Sequence, residues 1–163
     1  MKNQLPVVAL TVVVLATMGI AGQSQSSSIQ GAWRAVEVTL TGPGARTITN
    51  PGATLTVVSG KHYARVEEQS ESPRPVLADV SKASADELRA AWGPFVGEAG
   101  SYELTGDMLT TRPVVAKNPA AMAAGAYSVY RCKVDGNTLT LTTLRNQNGP
   151  VANPTTIKLA RVE

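Results

Sequence analysis

The chain has 163 residues, with 15 Lys and Arg against 12 Asp and Glu for a formal charge of +3, a length that suits one domain with its own core. The charge is small and the basic residues are scattered, with no interleaved aromatics, which argues against a nucleic-acid partner. One cysteine, Cys132, excludes an internal disulfide, and with one histidine, His62, it makes no metal-ligand set, so neither a metal nor a cofactor is expected.

Lys2 precedes an apolar run from Val7 to Ile20, and Gly19-Ile20-Ala21 offers a small-x-small cleavage site. This pattern predicts a secretory signal peptide over 1–22, a polar linker over 23–28 and one domain over 29–163. The apolar run is short for a membrane span, and no cysteine stands at the cleavage site for lipid attachment. The expected location is periplasmic or extracellular, with no stable membrane anchor once the signal is removed.

Short Thr-, Val-, Leu- and Tyr-rich runs then alternate with turn residues, the signature of an antiparallel all-β domain. Strands are predicted over 31–40, 45–49, 53–59 and 62–68, the last two joined at Gly60-Lys61. From Gln69 to Val96 the alternation stops. Ser84-Ala85-Asp86-Glu87 is a capping box for one short helix, whose Leu88, Ala91 and Trp92 form an apolar stripe before Gly93-Pro94 ends it. Trp92 and Phe95 are expected to bring this segment over one end of the domain as a plug or lid.

Two hairpins follow, with tips at Gly106-Asp107 and around Asp135-Gly136. Placing Asp135-Gly136 at the second tip puts Cys132 opposite Leu139 and Tyr130 opposite Leu141, all facing inward. An Ala/Gly/Met-rich connection over 117–125 separates the hairpins, and the last strand runs from Ile157 to Val162. Arg161 ends its apolar stripe of Ile157 and Leu159. If the first and last strands meet, that guanidinium reaches the indole of Trp33, a favourable cation–π arrangement at a barrel floor.

A Gly31-Ala32-Trp33 on the first strand with an arginine on the last resembles the lipocalin-like proteins. Gly60-Lys61-His62-Tyr63, Trp92-Gly93-Pro94-Phe95 and Asn153-Pro154-Thr155-Thr156-Ile157-Lys158-Leu159, in this order, are similar to bacterial secreted proteins with a lipocalin-like domain and no known activity. The resemblance implies an antiparallel, up-and-down, lipocalin-like β-barrel of eight or nine strands with one short helix, holding a small, largely apolar ligand. In it Trp33 and Arg161 close the barrel.

Four residues are candidates for ligand contact. His62 has the only side chain with an ordinary pKa near neutrality, and shares a face with Ala64, Val66 and Glu68; the alternative is an exposed strand residue. Arg112, on a face with Met108, Thr110 and Val114, could take a carboxylate or phosphate head group, or be a surface cation. Tyr130 and Trp92 complete the set. No nucleophile motif is present, Cys132 lies on an apolar face, and the adjacent Glu67 and Glu68 point to opposite faces of a strand, so catalysis is a minority reading. The alternative to a ligand carrier is a filled barrel acting through its surface as an envelope or interaction module.

Overall fold

The computed structural model describes residues 28–70 and 72–162; the expected signal peptide and most of the linker lie outside them. The strands are β1 Gly31–Leu40, β2 Arg46–Thr49, β3 Thr54–Ser59, β4 His62–Glu68, β5 Phe95–Thr105, β6 Met108–Ala116, β7 Ser128–Asp135, β8 Thr138–Asn146, β9 Gly149–Pro150 and β10 Thr156–Arg161. The helix α1 spans Ala85–Trp92. Eight strands, all but β2 and β9, form an antiparallel up-and-down barrel. β10 pairs with β8 on one side and β1 on the other, which closes it. Closure leaves the barrel no free edge.

The two ends are built differently. At one, three two-residue hairpins turn at Gly60-Lys61, Gly106-Asp107 and Gly136-Asn137. Gly60, Gly106 and Gly136 carry φ of 58°, 60° and 56°, and no second turn residue has positive φ, the pattern of a type II′ turn with glycine first. At the other end the connections are long, and the largest, 69–94, contains α1.

Trp33 is fully buried at the closed end with Ile29, Val58, Tyr63, Leu109, Tyr130, Cys132, Leu139 and Leu159. It stands opposite Arg161 in the β1–β10 register, whose guanidinium lies 4.0 Å from the indole centroid. Arg161 donates to the Gln30 carbonyl at 2.6 Å and the Ser28 carbonyl at 2.7 Å. The indole N–H donates to the Ile29 carbonyl at 2.8 Å. The chain preceding β1 is thereby drawn across the floor.

Three expectations need correction. The second hairpin turns at Gly136-Asn137, pairing Cys132 with Leu141, Val134 with Leu139 and Tyr130 with Thr143. Moving a tip by one residue moves each cross-strand partner by two, so the partners change while the faces do not. Secondly, β5 starts at Phe95, which pairs with Glu68; the two Gly residues at 97 and 100 hide the strand. A Cβ at Gly100 would come within 2.1 Å of the Arg112 carbonyl oxygen, so the close approach at this bulge requires glycine.

Thirdly, α1 lies outside the barrel end where the sequence predicts a plug. Its capping box is complete: the Glu87 carboxylate accepts from the Ser84 N–H and hydroxyl, and the Ser84 hydroxyl accepts from the Glu87 N–H. Yet Trp92 is half exposed, meets Phe95 edge-on at 6.4 Å and lines neither barrel cavity. Arg74 holds the segment by stacking 5.3 Å from the Phe95 centroid, pairing with Glu68 at 3.4 Å and donating to the Ala91 carbonyl at 3.1 Å. Lys117 ties down its end by donating to the Trp92, Gly93 and Phe95 carbonyls. Phe95 lies on the face of β4–β5 opposite to the inward Glu67, Val96 and Glu98, so Trp92 and Phe95 brace the outer rim and do not fill the barrel, while Arg74 meets Glu68 at the edge of the larger barrel cavity.

Candidate functional site: the barrel interior

On β4 alternation makes two sets. His62, Ala64 and Val66 are exposed, whereas Tyr63, Arg65 and Glu67 line an internal cavity of about 50 Å³. β5 contributes Glu98 and Tyr102, β6 Leu109 and Thr111, β7 Tyr130, and β8 Leu139 and Leu141. The more apolar set of β4 thus faces out and the more polar set faces in. Three tyrosines, Tyr63, Tyr102 and Tyr130, share the cavity wall with Arg65.

Arg65 is the hub of a polar cluster inside this apolar wall. Its Nη1 lies 3.3 Å from Glu67 Oε1 and its Nε 3.1 Å from Glu98 Oε1. The second contact is electrostatic, because the Nε–H is not aimed at the oxygen well enough for a hydrogen bond. The Tyr63 hydroxyl donates to the same Glu98 oxygen at 2.9 Å. Burial first, then the Glu98 carboxylate, raise the Tyr63 phenol well above the usual tyrosine range; Thr111 and Arg65 oppose this with smaller effect. For Arg65 burial is the largest influence and works against the charge, but Tyr130, Glu67, Glu98 and Tyr63 outweigh it and hold the guanidinium above its ordinary value. Thr111 is 6% exposed. Its hydroxyl sits beside Tyr63 without a hydrogen bond of good geometry.

Towards the open end the cavity meets a larger chamber of about 600 Å³. Ala35, Thr54, Glu67 and Ile157 line both. A β-bulge between Ala35 and Glu37 shapes this mouth. It switches the inward set of β1 from Trp33 and Ala35 to Val38 and Leu40, and β2 adds Ile48 beside Val38. Glu37 is turned outward to an ion pair with Lys158 at 2.6 Å.

Of the four candidates from sequence, Tyr130 is buried and lines the inner cavity. His62 and Arg112 both pair with Ser101, in one row across three strands, but on the exposed face. Arg112 reaches Glu103 at 3.8 Å. Trp92 lines a separate outer groove with Arg74, Val76 and Val80. The cluster of Arg65, Glu67, Glu98 and Thr111 was absent from the sequence-derived set.

Cys132 is a free, buried thiol whose pKa is raised by burial and, to a lesser degree, by Asp107. Native protein at pH 7.5 is therefore expected to resist a thiol-reactive chromophore that labels it stoichiometrically in denaturant. Fast labelling of the native form would show that the β7 face is open.

No helix among the described residues is long and apolar enough to cross a membrane, and they contain no group of three or more metal-ligating side chains. No family model and no curated protein matches the chain. Among solved structures it is similar to an uncharacterized protein from Bacteroides eggerthii, with 10% sequence identity over 81% of this chain and 98% of that chain, at a TM-score of 0.43.

Proposed function

We propose that the protein is an exported, lipocalin-like carrier that binds a small, largely apolar molecule non-covalently in the open half of its barrel. The observation that carries this reading is the chamber of about 600 Å³ running into the inner cavity past Ala35, Thr54, Glu67 and Ile157. Its size falls within the range of roughly 300–1,000 Å³ typical of small-molecule sites, and apolar walls around a few convergent polar groups are the usual lining. The N-terminal signal pattern supports export.

A neutral hydrophobic dye such as N-phenyl-1-naphthylamine tests this. Saturable fluorescence enhancement at one dye per chain is expected, with loss of that signal in Ala35→Phe, which fills the junction of the two cavities. Absence of any enhancement in the wild-type protein would overturn the proposal.

A second reading has its own support. The inner cavity holds only about 50 Å³, and the outer sheet exposes Leu55, Val57, Val66, Val114 and Val115, an apolar surface suited to an interaction module. A dye-free barrel that self-associates or binds a protein would favour it.

A further inference from the structure

We infer that the molecule held in the chamber carries a protonated amine, placed against Glu67 and Glu98 with its apolar part in the mouth. The inference rests on the carrier reading and adds the chemical class of the ligand.

In the inner cluster one cation, Arg65, lies between two carboxylates, Glu67 at 3.3 Å and Glu98 at 3.1 Å; the outer chamber adds Arg46, which is exposed, and Glu68, which is paired with Arg74. With all three of its groups ionised the inner cluster carries one excess negative charge in a largely apolar, partly buried enclosure, where the side chains of Glu67 and Glu98 are only 16% and 13% accessible and an uncompensated charge costs more than in open water. The Tyr63 hydroxyl relieves Glu98 by a hydrogen bond, but supplies no charge. A ligand ammonium would complete the neutralisation. A ligand carboxylate would be a third negative group around a guanidinium already shared by two.

Position agrees with charge. Glu67 lines both the inner cavity and the mouth, so its carboxylate stands where a head group entering from the open end first meets the cluster. Its partners, Arg65 and the Gln69 side-chain amide at 3.1 Å, hold it there. Beyond it the buried Thr111 hydroxyl lines the same cavity without a well-formed hydrogen bond. That hydroxyl can accept from an ammonium proton. A cavity of about 50 Å³ exceeds the roughly 10–15 Å³ that one water needs, leaving room for a primary ammonium with its first methylene. Val38, Leu40, Ile48 and Ile157 offer the apolar wall for the remainder.

Displacement of N-phenyl-1-naphthylamine at pH 7 by octylamine, octanol and octanoate separates charge from chain. Octylamine is expected to bind at least about 10-fold tighter than octanol, equivalent to about 1.4 kcal/mol, and octanoate weaker than octanol. In Glu98→Gln the amine's advantage should fall to within about 3-fold of octanol, less than about 0.7 kcal/mol, while octanol's own affinity holds. Glu67→Gln provides the same test in a residue on which Tyr63 does not depend, should Glu98→Gln fold poorly. Equal affinities for the three compounds would overturn the amine inference and leave the carrier reading standing. Tightest binding by octanoate would overturn it in favour of Arg65 as an anion anchor. Failure of all three, and of the dye itself, to bind would overturn both.

Discussion

Trp33→Ala is expected to lower the unfolding free energy by about 3–5 kcal/mol, the usual cost of deleting a large aromatic from a packed core. Trp33 is fully buried and serves three elements at once. Its ring supports the Arg161 guanidinium at 4.0 Å, its N–H satisfies the Ile29 carbonyl, and its backbone joins β1 to both β3 and β10. Removing the indole leaves Arg161 over a void at the point where the barrel closes. Trp33→Phe should cost less, because a ring remains under the guanidinium. Urea denaturation followed by far-UV circular dichroism reads both, and a loss below about 1 kcal/mol for Trp33→Ala would mean that the floor is held elsewhere.

Arg65→Met should show the second large effect, about 2–4 kcal/mol at pH 7, because it strands Glu67 and Glu98 beside each other without a counter-charge. The figure is placed below that for a fully enclosed pair because 25% of the Arg65 side chain is accessible. The pH dependence carries the diagnostic sign. Stranded carboxylates take up protons more readily in the folded variant than in its unfolded chain, so the folded state binds more protons and its stability rises as pH falls. The deficit of Arg65→Met relative to wild type should therefore shrink between pH 7 and pH 4.5. A deficit constant over that window would assign the loss to packing alone and remove Arg65 as the electrostatic hub.

The strand order was legible because this barrel is local. Each hairpin announces itself by a glycine that must adopt positive φ, and the eight barrel strands follow one another around the sheet. The interior was not legible, for a reason visible on β4. Alternation divides His62, Ala64 and Val66 from Tyr63, Arg65 and Glu67, but does not say which set faces in. Hydrophobicity pointed the wrong way, since the set with Ala64 and Val66 is exposed and the set with two charges lines the cavity. That inversion is tolerable because Arg65 engages Glu67 and Glu98, and Tyr63 donates to Glu98, across β4 and β5, a pairing that emerges only with the register.

Two other misplacements have similar causes. Arg112 stood on a plausible inward stripe with Met108 and Thr110, yet the face of β6 that enters the barrel carries Leu109 and Thr111. For α1, the capping box determines where the helix starts, because that contact lies within four residues. Where its stripe packs depends on Arg74 and Lys117, far away in the chain. A short amphipathic helix suits an outer rim as well as a barrel end.

Native mass spectrometry of the protein purified from its own host, with organic extraction of whatever accompanies it, decides whether the barrel carries a ligand. One bound molecule per chain is expected, released by organic solvent, apolar over most of its length and carrying a basic amine. A protein that is empty as isolated, and that also excludes neutral hydrophobic dye, would rule out the carrier and leave a filled barrel working through its outer face.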